Sequence, residues 1–351
     1  TTGEVSAAET VRIIAEQVER AAAEGRYSGT VLLARGDSIV LHRAFGHANR
    51  EQGVANDLQT GYGIASIGKM FTAVSIARLV EAGRLRFEDT LGAVLPDYPN
   101  VAARGVTIHQ LLTHTAGIAD PFASPQWTPG VTRTRQAEWF PLFAETPLAF
   151  TPGERFEYSN GGYFVLGAII ERLTEHSFGD WLRHDLFREA GMAAATADAP
   201  CATGYLRLPE TDPLRREAPT PNTGRQGSAS AGAGSGAGGA CMTALDMFRF
   251  VRALRNGTLL SPEMTARVVT GQVALDPRGP IKYGYGFFEL PVRDGAVHAR
   301  GHSGGGEGSG QDGDVQVLWE PDWTMIVLGN MDTPAARSLS GKMIGPLARA
   351  R

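Results

Sequence analysis

The chain has 351 residues, 42% of them hydrophobic and 20% charged, the proportions of a globular protein with a sizeable core. A formal net charge of -4 leaves no basic field to hold nucleic acid. No apolar run approaches the ~18 residues that a membrane-spanning helix needs.

The N-terminal stretch TTGEVSAAET has neither the basic nor the apolar region of a signal peptide. The expected setting is cytoplasmic, or periplasmic or secreted if a leader has been removed. Ser6-x-x-Glu9 then reads as a capping box, followed by Val11, Ile14, Val18, Ala21 and Ala22 at helical spacing, with Gly25 as the stop. Residues 30–35 (TVLLAR) and 38–45 (SIVLHRAF) are strand-like runs joined by Gly36-Asp37, a hairpin signal.

The middle of the chain changes character. Residues 66–83, 107–113, 162–176, 178–190 and 243–256 carry helical patterns between loops rich in Pro and Gly. Long loops at 119–152 and 200–240 are expected to shape a pocket. Within the second, residues 227–240 are low in complexity. Their Gly234-x-Gly236-x-x-Gly239 mimics a dinucleotide fingerprint, but no apolar strand precedes it. Cys201 and Cys241 make either one disulfide or two buried thiols.

Towards the C-terminus YGYGFFEL, AVHARGH, DVQVLWE and TMIVLGN are short strand-like runs, and a helix over about 333–350 closes the chain. Both ends thus supply strands and a helix. The expectation is an α+β fold in which an antiparallel sheet from 1–60 and 241–351 is flanked by terminal helices. A mainly helical region, 61–240, is inserted into it, with the active site at the interface.

The stretch GYGIASIGKM (61–70) poses a choice. As Gly63-x-x-x-x-Gly68-Lys69 it approaches a phosphate-binding loop, which predicts Mg²⁺-dependent nucleotide affinity. However, Met70 stands where a Mg²⁺-binding hydroxyl belongs, and polar residues precede it instead of a buried strand. Read as Ser66-x-x-Lys69, the context fits. Met70, Ala73, Val74, Ala77 and Val80 form an apolar stripe, so Ser66 sits at the first turn of a packed helix with Lys69 on the same side. A serine hydroxyl needs an adjacent base, and a buried lysine driven towards neutrality can serve.

Two further motifs accompany it. Tyr158-Ser159-Asn160 precedes a strongly apolar helix, where a tyrosine can shuttle protons and an asparagine amide can hold a substrate carbonyl; the bland alternative is a turn at Asn160-Gly161. His302-Ser303-Gly304 follows a strand-like run, where small residues let a substrate backbone lie beside the strand. Gly301-x-Ser303-x-Gly305 also fits a nucleophile elbow, but no histidine follows Ser303 in the chain, as that fold requires.

In order and approximate spacing, Ser66-x-x-Lys69, Tyr158-x-Asn160 and His302-x-Gly304 resemble the penicillin-recognising serine hydrolases. These include class C β-lactamases, D-alanyl-D-alanine carboxypeptidases, D-aminopeptidases and related esterases. TIHQLLTHTAGI, YSNGGYFVLGAIIE and YGYGF look like the same family, and the resemblance covers nearly the whole chain. It implies that Ser66 is the acylated nucleophile and that Lys69 and Tyr158 share base and proton-shuttle work. By the same resemblance, backbone N–H groups of Ser66 and Gly305 form the oxyanion hole, Asn160, His302, Ser303 and Gly304 contact substrate, and no metal or cofactor takes part. The implied activity is hydrolysis of small esters, amides or peptides through an acyl-enzyme; the alternative is a penicillin-type sensor that acylates without turnover.

One position departs from the pattern. True β-lactamases usually carry lysine where this chain has His302, and the family's histidine variants resemble peptidases and aminopeptidases more than efficient β-lactamases. Weak β-lactam hydrolysis at best is therefore expected. Glu307 nearby is either a charge that raises the His302 pKa or a solvated turn residue.

Overall fold

Alternating apolar residues at both ends of the chain have to be covered on two faces, and the fold does this with one sheet between two helical layers. The computed structural model describes residues 6–128, 131, 133–192, 201–206, 220–221 and 234–350. Strands β1 (Gly29–Arg35), β2 (Ser38–Phe45), β3 (Val273–Ala274), β4 (Lys282–Tyr283), β5 (Phe288–Val292), β6 (Val297–Gly305), β7 (Asp312–Leu318) and β8 (Trp323–Gly329) form one antiparallel sheet. Its order is β2-β1-β8-β7-β6-β5-β4-β3. Strand β1, near the N-terminus, pairs with β8, near the C-terminus, setting Val31 opposite Val327. The two chain ends complete one sheet, as the sequence predicts.

Successive side chains on β1 and β8 go to opposite layers. Val31, Leu33, Met325 and Val327 pack with Ile14 and Val18 of α1 (Ala7–Ala23) and with Leu339 and Met343 of the C-terminal helix (Ala335–Arg349). Leu32, Ala34, Ile326 and Leu328 face the other way, into the larger core. That core is built from α2 (Lys69–Glu81), α3 (Ile108–Leu112), α4 (Asn160–Thr174) and later helices. Helix α2 is buried on almost every side, with Phe71 edge-on to Phe187 and Phe250. A helix surrounded this way is apolar all round rather than along one stripe.

Local details refine the sequence reading. Ser6 Oγ accepts the Glu9 N–H at 3.2 Å, but the Glu9 carboxylate turns to Arg12, so half of the capping box forms. Thr107 and Gln110 do make a reciprocal box at the start of α3. Segment 178–190 is one α-helical turn (Phe178–Trp181) followed by π-helix over Leu182–Phe187. A helix over Pro262–Val269, capped by Ser261, was not foreseen, although Ser-Pro is a start signal. No helix among the described residues is long and apolar enough to cross a membrane. In the loop 200–240, residues 200, 207–219 and 222–233 lie outside the described residues.

Cys201 and Cys241 are joined, which resolves the open choice in favour of a disulfide. Cys241–Met242 pairs as a short ladder with Tyr62–Gly63, and Ala202 N–H donates to the Gly61 carbonyl. The bridge therefore clips two chain segments onto the approach to Ser66. With a sequence separation of 40 between its ends, its loss through Cys201→Ser and Cys241→Ser is expected to cost about 2–4 kcal/mol. Denaturant unfolding of the variant against wild type checks this; equal midpoints would remove the bridge from the account of stability.

Candidate active site

Ser66 occupies a 3-10 turn, Ala65–Gly68, that runs directly into α2. It is half-buried, while Ile67 to Ala77 behind it are fully buried. Ala65, just before it, is held at φ +44°, a left-handed conformation that a non-glycine residue adopts only when its surroundings impose it. The surroundings are two chain segments pressed against the turn. Gly238 lies so close that a Cβ there would run into the Ala65 carbonyl, and a Cβ on Gly304 would run into the Ile64 carbonyl. Gly239 N–H donates to Ala65 O at 3.1 Å, and Ile64 N–H to Ala240 O at 2.9 Å. Glycine is required at 238 and 304 because backbone meets backbone there.

Lys69 comes one turn later, and its side chain is entirely buried. Its Nζ lies 3.1 Å from Ser66 Oγ, 2.7 Å from Asn160 Oδ1 and 2.7 Å from the Ala237 carbonyl oxygen. The Tyr158 and Tyr163 rings stand 4.9 and 5.5 Å from it. Burial lowers its pKa to about 7, against a partial opposing pull from the Asp120 charge. Three oxygen partners could take the three hydrogens of an ammonium, and they also accommodate the neutral amine towards which burial drives the group. Two partners, the amide and main-chain carbonyl oxygens, can only accept, and the third is a hydroxyl able to donate. An NH₂ group that donates both hydrogens to the two oxygens has its lone pair left for Ser66.

Tyr158 lies immediately before α4, which is capped by the Ser159 side chain. Burial raises its phenol well above the ordinary value, opposed by a hydrogen bond with Ser66, so it is neutral at pH 7. Asn160 is the first residue of α4, and Gly161 lies inside that helix rather than in a turn. Its amide is committed at both ends: Oδ1 accepts from Lys69, and Nδ2 donates to Asp120 at 2.7 Å. The amide thus holds the lysine, and the second Nδ2 hydrogen remains for another acceptor.

His302 lies on β6 and is 1% exposed. Its Nδ1 is 2.6 Å from the Ser303 carbonyl oxygen, which only accepts, so Nδ1 carries the proton. Nε2 is then left to accept from the Tyr283 hydroxyl at 3.1 Å. Burial first, and then the Lys69 charge, bring its pKa down to about 3. Of the two readings of Glu307, the structure supports the solvated turn residue, since Glu307 is exposed and burial dominates at His302. Ser303 and Gly305, half-buried, follow on the same strand. All three motifs converge on one site.

Several groups at the site carry no sequence signal. The Ala237 carbonyl comes from the low-complexity stretch, whose Gly236 carbonyl accepts from Thr72 Oγ1 at 2.7 Å; a main-chain acceptor cannot be read from composition. This stretch holds α2 rather than following a strand as a dinucleotide loop would. His114, at φ +58°, accepts the Ser159 N–H on Nδ1 and stacks 4.3 Å from Tyr158. Residues 301–305 are extended within β6, whereas a nucleophile elbow turns from strand into helix.

Comparison with known proteins places this geometry. The Beta-lactamase family model matches residues 12–341. Penicillin-binding protein 4 of Amycolatopsis lactamdurans is 29% identical over 359 residues, covering 96% of this chain and 90% of that protein. A penicillin-binding protein structure from Bacillus halodurans superposes with a TM-score of 0.79 at 30% identity, over 93% of this chain and 98% of that one. A D-amino acid amidase from Ochrobactrum anthropi, complexed with D-phenylalanine, shares the fold at a TM-score of 0.76 and 21% identity, over 97% of both chains. Two Bacillus subtilis relatives are longer; the matches span 63% and 37% of their lengths. With nearly its whole length accounted for, the chain belongs to the β-lactamase family, the penicillin-recognising serine hydrolases.

Proposed function

We propose that the protein hydrolyses small esters or amides, including D-amino-acid derivatives, through an acyl-enzyme on Ser66, with weak β-lactam turnover at best. The observation that carries this reading is the set of three hydrogen-bonding neighbours around the buried Lys69 amine. With the amine neutral, these neighbours leave its lone pair for Ser66 Oγ, which supports Lys69 as the general base. As Ser66 Oγ attacks the substrate carbonyl carbon, its proton passes to Lys69 Nζ. The oxyanion lies between the Ser66 and Gly305 N–H groups; Ser66 lies in a first helical turn, where N–H groups lack intrahelical acceptors. Neutral Tyr158 gives its proton to the leaving group and regains one from Lys69. Water then enters where the leaving group was, and the same transfers run in reverse to free Ser66.

His302 supports the substrate preference. A buried neutral imidazole offers no fixed cation to a substrate carboxylate at the position where β-lactamases carry lysine. The relatives include a D-amino acid amidase, which agrees with this preference. The disulfide suits an oxidising, extracytoplasmic compartment.

Intact-mass mapping after exposure to a p-nitrophenyl ester, and separately to a penicillin, is expected to place the acyl group on Ser66. The adduct should vanish in Ser66→Ala and persist in Ser303→Ala, and kcat/KM for the ester should rise through about pH 7 as Lys69 deprotonates. Labelling on Ser303 would refute the assignment, and stoichiometric labelling of Ser66 without turnover would support the sensor reading instead.

Stability offers an independent check. Folded Lys69 releases its proton near pH 7, whereas the unfolded chain holds it to about 10.5. Across that window the unfolded state binds more protons, so this group's contribution makes stability rise with pH, and its burial penalty is fully present below pH 7. Lys69→Met is therefore expected to be more stable than wild type at pH 6, with the difference shrinking towards pH 10. A difference independent of pH would mean that the amine is not forced towards neutrality.

A further inference from the structure

Asp120 begins the short turn Pro121–Ala123, which follows α3 and the loop after it. Its Oδ1 accepts the Phe122 N–H at 2.9 Å. Its Oδ2 accepts twice from Asn160, from the backbone N–H at 3.1 Å and from Nδ2 at 2.7 Å. Neither the sequence motifs nor the mechanism above uses this carboxylate. Its place is fixed from behind, because Gly161 packs so closely on the Ala119 carbonyl that no side chain fits between them.

An asparagine amide can present either end to a neighbour, and the two ends have opposite effects on a lysine. With Oδ1 towards Lys69, the amide takes a hydrogen from Nζ. With Nδ2 towards Lys69, two donors oppose each other, and a neutral amine turns its lone pair to Asn160 instead of to Ser66. A carboxylate can only accept, so Asp120 admits a single orientation: Nδ2 inward to itself and Oδ1 outward to Lys69. On the assignment of Lys69 as base, which this inference takes from the proposed function, we propose that Asp120 is a positioning residue that aims the Lys69 lone pair at Ser66 by locking the Asn160 amide.

The charge has a second effect. Burial drives Lys69 towards neutrality, and Asp120 opposes it, holding the amine basic enough to take a proton from serine. The other titratable groups around the amine do not supply this. His114 and His302 are both neutral and are themselves pushed down by Lys69, and the Tyr158 and Tyr163 phenols are raised by burial. Arg337 acts on Tyr158 and His302 in the opposite sense to a carboxylate.

The test is single-turnover acylation of Ser66 by p-nitrophenyl acetate between pH 5 and 9, read by nitrophenol release and intact mass. Asp120→Asn keeps the shape but lets the Asn160 amide turn. It is expected to slow acylation roughly 10- to 100-fold on the alkaline plateau, the scale of a misaligned reacting group. Its acid limb should move to lower pH, because a negative charge beside Lys69 is gone. Asp120→Glu, which keeps the charge but displaces the carboxylate, should lose rate with little movement of the limb. In an Asn160→Ala background, Asp120→Asn should change the plateau rate less than two-fold, since the group it acts through is absent. Wild-type rates in Asp120→Asn would overturn the assignment. So would full additivity with Asn160→Ala, or a fall in melting temperature with rate and acid limb unchanged. Failure of wild type to label Ser66 at all would instead strike the proposed function.

Discussion

A lysine amine with no exposed surface has to be neutral or matched by acceptors, and the site is organised around that demand. Lys69 is enclosed by α2, the Tyr158 and Tyr163 rings and the Ala237 carbonyl. Desolvation brings its pKa to about 7, where both protonation states are within reach near neutral pH. Acceptors on two sides and a hydroxyl on the third then decide which way its lone pair faces. Removing the burial would leave an ordinary surface lysine, protonated at neutral pH and useless as a base.

The fold's part is to press backbone against backbone around that amine. Strand β6 reaches the Ser66 turn only because Gly304 has no side chain, and the 237–240 segment approaches from the other direction because Gly238 has none. Together they hold Ala65 at positive φ and tilt Ser66 out of α2 into a separate 3-10 turn. The sheet fixes β6 through β7 and β8 to β1, so the N-terminal hairpin and the C-terminal strands share in holding Gly305 and Ser66 near one another. The disulfide adds a covalent tie at the same approach.

Much of this was legible in the sequence, because it rests on side-chain periodicity and on ordered motifs. The terminal strands declare themselves through β-branched alternation, and α2 through its apolar repeat after Ser66. The rest depends on groups without a sequence code. A carbonyl donated by Ala237 looks like any other residue of a Gly-Ala-Ser run. Asp120 reads as a loop aspartate until the fold carries it to Asn160, 40 residues away in sequence. His302 was legible as a motif residue, but its burial and its neutral tautomer come from the Ser303 carbonyl and the Tyr283 hydroxyl, and neither is visible before strand pairing is known. Asn160 shows the same limit: its residue type is readable, while the direction of its amide is set by a partner chosen by tertiary structure.

The proposed chemistry requires Lys69 to be a neutral amine above about pH 7. Selective ¹³C labelling of lysine, with the Lys69 resonance assigned by its loss in Lys69→Met, lets its Cε shift be followed from pH 5 to 11. A midpoint near pH 7 is predicted, well below the 10.5 of an unperturbed lysine. A midpoint near 10.5 would mean that Lys69 stays an ammonium at working pH, and the general-base assignment would pass from Lys69 to another group.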